Sequence, residues 1–227
     1  MGRLLFLAAV ILIVIGLVWM RRQRNSANQG REVTLDPKTI LFSLPTISDD
    51  FPATVQVSSD LIQNAIGINE DDWRQIEFVE SAALLDIERE IKEIDAFKSE
   101  NHVGLGWKNV YIRKERPDGL YQSRLPLTLI DYVPHDAIQK LLIGSPGHEF
   151  EVKGGFAIRL GPSLIMYGRE SGGTLINLGL NRLPDEKEAA LGDHLLAICN
   201  KFHLVIVDWC AGQIFLPPAA TSQNLNH

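Results

Sequence analysis

The segment FEVKGGFAIRLGPSLIMYGRESGGTLINL, residues 150–178, decides the fold class. It contains four short runs rich in apolar residues, at 150–152, 156–160, 164–167 and 174–178. Glycine-containing breaks separate the runs, as the turns between neighbouring antiparallel strands require. The segment therefore predicts an antiparallel meander.

Two amphipathic helices accompany these strands. Apolar residues at spacings of three and four predict one helix over 84–98, with charged residues on its opposite face. A second helix is predicted over 184–202, because a proline and two acidic residues precede its apolar stripe. Shorter helices are expected at 58–66 and 135–142.

Further strands are predicted on both sides of the meander. They are residues 75–79, 109–113, 126–130, 204–207 and 213–216. No regular alternation of strand and helix dominates the chain, so the sequence predicts an α+β fold: a mostly antiparallel sheet packed with two main helices.

The N-terminus holds the longest apolar run of the chain. It extends from Leu4 to Met20 without a charged residue, which corresponds to about 25 Å of helix, near the lower limit for a bilayer core of about 30 Å. A cleaved signal peptide is the alternative, but the run ends in bulky and then charged residues instead of a small-x-small cleavage site. We therefore predict a retained transmembrane helix.

The predicted membrane anchor defines the domain organisation. Its marker residues are the apolar and interfacial Leu4 and Trp19 and the flanking cations Arg21, Arg22 and Arg24. Because Lys and Arg are in excess on the cytoplasmic side of membrane spans, we expect a single-pass protein of the bacterial inner membrane with its domain in the cytoplasm. The anchor covers 1–20, a polar and basic linker 21–32, one globular domain 33–216 and a flexible tail 217–227.

The charge balance argues against a nucleic-acid partner. The formal net charge is −6, and phosphate neutralisation requires clustered Lys and Arg. The one basic cluster outside the linker, residues 113–116, is interrupted by an acid and is predicted to be a solvated hairpin end. Two cysteines are too few for a disulfide scaffold, and the cytoplasmic orientation predicts two free thiols.

Metal binding has only weak candidates in the sequence. Cys199 and His203 are four residues apart, which can place both on one face of a helix end. The paired C-x-x-C spacing of zinc sites is absent, and Cys199 adjoins an apolar stripe, where a free cysteine acts as a small hydrophobe. We predict no metal and, since the dinucleotide, P-loop and kinase motifs are absent, no cofactor.

Catalytic candidates are equally sparse. Cys210 with Asp208 follows a predicted core strand, where a thiolate nucleophile could lie, although Asp208 could instead cap a turn. His148 and Glu149 lie in a glycine-rich loop that lacks the order of a nucleophile elbow and the second His of a zinc protease. A turn between two elements is the ordinary alternative.

These observations favour a binding protein over an enzyme. The leading hypothesis is a membrane-anchored α+β domain whose acidity suits a basic protein partner, as in an assembly factor or an immunity-type inhibitor of a toxin. The alternative is a membrane-tethered hydrolase that uses Cys210 or His148 and Glu149 with Asp208. A purely structural envelope component is a third possibility.

Overall fold

The computed structural model describes residues 41–57, 64–114, 120, 124–145 and 147–217. The predicted anchor, the linker and nearly all of the predicted tail lie outside these residues. Two compact units divide the chain, Met1–Ile40 and Leu41–His227, and the described residues all belong to the second. Neither long helix within them combines the length and the apolar composition that a membrane span needs.

The described part is an α+β domain. Its helices are α1 (Leu84–Asn101) and α2 (Ala189–Phe202). Its strands, in chain order, are β1 (Thr46–Ser48), β2 (Thr54–Gln56), β3 (Ala65–Ile68), β4 (Ile76–Glu80), β5 (His102–Val103), β6 (Gly106–Trp107), β7 (Tyr111–Arg113), β8 (Gln139–Ser145), β9 (His148–Arg159), β10 (Ile165–Ser171), β11 (Thr174–Leu180), β12 (Leu204–Asp208) and β13 (Gln213–Phe215).

Nine of these strands form one sheet, in the order β13-β12-β4-β11-β10-β9-β8-β3, with β2 pairing to β9 beside this path. All pairs in it are antiparallel except β3 with β8. The meander predicted over 150–178 is its centre, β9 to β11, with three strands instead of four, because the runs 150–152 and 156–160 both belong to β9. The α+β class, the mostly antiparallel sheet and the two main helices are therefore confirmed.

The two helices cover opposite faces of the sheet at strand β12. Leu204 and Ile206 pack in the cluster that holds the buried stripe of α2, whereas Val205 and Val207 pack against α1. This division follows from the period of two along a strand, which points successive side chains to opposite faces. A strand with apolar residues at every position is thus covered on both sides.

Three predicted elements are wrong. The helix predicted over 135–142 is absent: residues 139–145 form strand β8, because pairing with β3 and β9 buries Leu141, Leu142 and Ile143 together. Residues 65–66 belong to strand β3 rather than to the end of a helix. Residues 127–132 form a 3₁₀ helix, not a strand, with Leu129 and Ile130 both fully buried.

Two small sheets lie outside the main one. Strands β1 and β7 pair in parallel, with Thr46 opposite Tyr111 and Ser48 opposite Arg113. Strands β5 and β6 form a short hairpin directly after α1. Residue Phe42 bridges to Trp107 of this hairpin, so that the chain from 42 to 48 runs beside residues 107–113.

Candidate functional site

The end of strand β12 holds the catalytic candidates Asp208 and Cys210. The Oδ1 atom of Asp208 accepts a hydrogen bond of 2.8 Å from the backbone N–H of Ala211, and Trp209 between them is 1% exposed. Asp208 therefore caps the turn and Trp209 packs in the core, which is the structural alternative that the sequence offered.

The Cys210 thiol is held in a protonated state. It donates to Gln75 Oε1 across 3.2 Å, and its carbonyl accepts a hydrogen bond of 3.0 Å from Lys98 Nζ. Burial raises the pKa of Cys210 to about 11, and the nearby charge of Arg113 opposes this only in part. Because the thiolate is the reactive form, this thiol is a poor nucleophile at neutral pH.

A buried carboxylate organises the polar groups around this turn. Glu77 on β4 is 6% exposed; its Oε1 accepts from Trp209 Nε1 at 2.8 Å and its Oε2 from Arg74 Nε at 2.7 Å. Burial alone would raise the pKa of Glu77, but the charges of Arg74 and Arg113 and the two hydrogen bonds hold it below the usual range. Glu77 is therefore ionised inside the protein.

Further ion pairs connect Glu77, through Arg74, to Asp50 and Arg169. Arg74 Nη1 lies 3.0 Å from Asp50 Oδ2, and Arg169 Nη1 lies 3.4 Å from Asp50 Oδ1. Burial disfavours the charge of Arg74, yet Glu77 and Asp50 raise its pKa overall. With Arg113, these residues form what we call the buried ion cluster: Asp50, Arg74, Glu77, Arg113 and Arg169.

Arg113 corrects one prediction from the sequence. It was expected at a solvated hairpin end, but it is 3% exposed and donates to Thr46 Oγ1 at 3.1 Å, to Gln75 Oε1 at 3.3 Å and to the Arg74 carbonyl at 2.6 Å. Its guanidinium also lies 5.1 Å from the centre of a Trp209 ring. Burial lowers the pKa of Arg113 to about 10, so it stays charged at neutral pH.

The buried ion cluster leaves little free space. A cavity of about 10 Å³ beside it is lined by Ser48, Glu90 and Lys114 as well as by cluster residues and Trp209. Such a volume holds about one water molecule, so the cavity is too small for a substrate. The arrangement joins β1, β4, β7 and β12.

The second catalytic pair lies elsewhere in the sheet. His148 and Glu149 begin β9, where Glu149 Oε2 accepts a hydrogen bond of 3.0 Å from the Gly147 backbone N–H. Three strands lie between β12 and β9, a separation of about 19 Å at about 4.8 Å per strand. The structure therefore does not bring His148 and Glu149 to Cys210 and Asp208, and the hydrolase hypothesis gains no shared cleft.

The two metal-binding candidates, Cys199 and His203, lie in different environments. Cys199 is fully buried in α2, and burial raises its pKa to about 12. His203 ends the helix in the left-handed region at φ 56°, with its backbone N–H bonded to the Cys199 carbonyl and its side chain exposed. Among the described residues no group of three His, Cys, Asp or Glu side chains is placed to hold a metal ion, and both cysteines are free thiols.

A shallow surface pocket of about 330 Å³ lies at the other end of β9. It is lined by Pro134, His135, Asp136, Arg159, Leu160 and Gly161. The His135 ring contacts the Asp136 carbonyl through Nδ1, and its Nε2 is 3.7 Å from Asp131 Oδ1. Both ring nitrogens of His135 are therefore directed at neighbouring groups, the Asp136 carbonyl and the Asp131 carboxylate.

The exposed surface of α1 is mostly acidic. Its exposed acids are Asp86, Glu88, Glu93, Asp95 and Glu100, and its exposed bases are Arg89 and Lys92. Leu85 stands in the first turn of this face with 80% of its surface exposed. The membrane-anchor candidates Leu4, Trp19, Arg21, Arg22 and Arg24 lie outside the described residues.

Comparison with family models, with curated proteins and with solved structures finds no match to this chain.

Proposed function

We propose that this chain is a single-pass membrane protein whose domain binds a basic surface of another protein through the exposed face of α1. The observation behind the proposal is the composition of that face, on which five exposed acids outnumber two exposed bases. Complementary charge of this kind steers association and fixes the orientation of partners.

The opposite face of α1 supports the same proposal. Ile87, Ile91 and Ile94 are buried against strand β12 and its neighbours, so the helix is fixed on the sheet by its apolar stripe. A rigid helix presents its exposed side chains at little cost in conformational entropy. Leu85 offers an apolar contact at one end of the acidic face, as an interface needs beside its charges.

The proposed location is the inner membrane, with the domain in the cytoplasm. It is supported by the apolar run from Leu4 to Met20 and by the arginines that follow it. Protease added to intact spheroplasts should leave the domain uncut, whereas protease added after lysis should degrade it. Cleavage in intact spheroplasts would place the domain on the outer side.

Site-specific photo-crosslinking tests the proposed partner surface. A photo-reactive amino acid at position 85 of the full chain, activated in native membranes, should give one discrete adduct with another protein. Glu88→Lys combined with Glu93→Lys should remove that adduct, because like charges repel a basic partner. The same amino acid at position 138, which is 48% exposed outside α1, is the matched control.

Two results would contradict the proposal. One is the absence of an adduct from position 85 together with the absence of a stoichiometric partner in detergent extracts. The other is an adduct that forms equally well from position 138 or that survives both lysine substitutions in a folded chain.

A further inference from the structure

Several exposed apolar side chains lie on the two small sheets and on residues 41–42 beside the β5–β6 hairpin. We define the apolar strip as the exposed side chains of Leu41, Phe42, Val103, Leu105 and Ile112. These are five of the twelve large apolar side chains exposed in the described residues, and Leu105 is 101% exposed. Clustered exposed apolar residues mark surfaces that contact a protein or a membrane.

The backbone around Leu105 is shaped to project it. Gly104 occupies the first position of the two-residue turn between β5 and β6 with φ 62°, as type II′ hairpins require. A Cβ atom on Gly106 would lie 2.6 Å from the Phe42 carbonyl oxygen and 3.1 Å from Leu41 Cβ. Gly106 thus permits the close approach that places Leu41 and Phe42 beside the hairpin.

We infer that the apolar strip lies on the surface of the lipid bilayer, with Leu105 inserted at the level of the headgroups. This inference rests on the tether in the proposed function. The strip begins at Leu41, and twenty residues separate it from Met20, where the predicted span ends. It is therefore the described surface that lies nearest to the anchor along the chain.

The tether explains why a small strip is sufficient. An anchored domain has a high effective concentration at the bilayer surface, so even a weak contact is populated. The hairpin also carries residues suited to the interface: the Trp107 ring packs edge-on against His102, and Lys108 follows directly. Aromatic and basic side chains concentrate at membrane–water interfaces.

The charged side chains nearest the hairpin roughly balance, because Asp95 pairs with Lys98 and the exposed Glu100 and Lys108 carry opposite charges. Helix α1 has 18 residues, or about 27 Å, and the hairpin follows its C-terminus. The acids Asp86 and Glu88 are therefore roughly 20 Å from the hairpin, well beyond the Debye length of about 8 Å at physiological salt. Anionic lipids would thus repel them little, and the N-terminal half of α1 stays available to a protein.

A depth-sensitive fluorescent probe tests the inference in the full chain. Leu105→Cys and, as the matched control, Leu85→Cys are labelled with a nitrobenzoxadiazole dye and reconstituted into phosphatidylcholine–phosphatidylglycerol vesicles. The unsubstituted chain measures background labelling of Cys199 and Cys210. Iodide in the water and nitroxide-bearing lipids in the bilayer are the two quenchers.

The dye at position 105 should show severalfold weaker iodide quenching than the dye at position 85, and only the dye at position 105 should be quenched by lipid. If the chain floats with the vesicles but iodide quenches the dye equally at both positions, the bilayer contact of the strip is wrong while the tether still holds. Shielding of position 105 without lipid quenching would also overturn it, because a second copy or another protein would then cover the strip. Chain that fails to float with the vesicles would overturn the tether and this inference together.

Discussion

The buried ion cluster and the apolar strip reverse the ordinary distribution of side chains, and strand β7 contributes to both. Arg113 is 3% exposed, whereas its neighbour Ile112 is 57% exposed. Each charge of the cluster has partners at hydrogen-bond distance, which compensates the cost of burying it. The strip lies outside the main sheet, so the core does not require its side chains inside.

The largest expected effect comes from breaking the cluster at its centre. Glu77→Ala should lower the free energy of unfolding by about 3–5 kcal/mol, because it removes the buried negative charge beside Arg113 and the acceptor of Arg74 Nε and Trp209 Nε1. Urea unfolding of the full chain in mild detergent, followed by tryptophan fluorescence, measures the change. Asp86→Ala is the control: its ion pair with Arg89 is 61% and 70% exposed and should be worth less than about 1 kcal/mol. Equal effects of the two substitutions would contradict the role of Glu77.

A pH dependence should follow from the same carboxylate. The folded pKa of Glu77 lies below its unfolded value of about 4.5, so its stabilisation is present above that pH and is lost as pH falls through the folded pKa. Glu77→Gln cannot titrate and should flatten this part of the stability profile. Urea midpoints measured at a series of acidic pH values check it. Parallel profiles for the two proteins would show that Glu77 does not titrate differently on folding.

The sequence predicted the regular elements better than the buried polar groups. The period of apolar residues in α1 and the later glycine breaks of the meander are local signals, and these elements formed as expected. The first break, Gly154 and Gly155, was wrongly expected to end a strand, because both residues lie inside β9. A helix was predicted over 135–142, where residues 139–145 form a strand, because a short apolar run has the same pattern in both structures. Arg113 lies two residues after Tyr111 and therefore shares its face of strand β7, and the Tyr111 hydroxyl bonds to Glu93 of α1.

The site itself depended on contacts that sequence spacing does not reveal. Glu77 and Trp209 are 132 positions apart in the chain, and they meet because β4 and β12 are paired. The same pairing, together with the sheet order, separates His148 from Cys210. Sequence could suggest these residues one by one, but only the topology shows which of them lie together.

An intermediate loss of stability is expected at Gly106, where residues 41–42 pack against the hairpin. Gly106→Ala should cost about 1–3 kcal/mol, because the new Cβ collides with the Phe42 backbone and neither strand can move freely. Gly67→Ala, with no atom within 4 Å of the added Cβ, should change the stability by less than about 0.5 kcal/mol. Urea midpoints of both variants measure the two losses of stability. Similar losses would mean that residues 41–42 are not held against the hairpin.

The smallest effect should come from the tip of the strip. Leu105→Ala should change the free energy of unfolding by less than about 0.5 kcal/mol, because its side chain contributes no packing to the fold. Leu129→Ala, the same change at a fully buried position, should cost about 2–5 kcal/mol. Unfolding curves recorded in one detergent compare them. A large cost at Leu105 would mean that the strip is part of the core.

Carbonate extraction measures whether the chain is anchored in the membrane through its N-terminal apolar run. Membranes from cells that produce the full chain are washed at high pH, which releases peripheral proteins. We expect the chain to stay in the pellet and Leu12→Arg combined with Ile13→Arg to release it, because each cation at the centre of a span costs about 2.5–3.5 kcal/mol. Release of the unsubstituted chain by the wash would contradict the tether, and with it both the proposed function and the bilayer contact of the apolar strip.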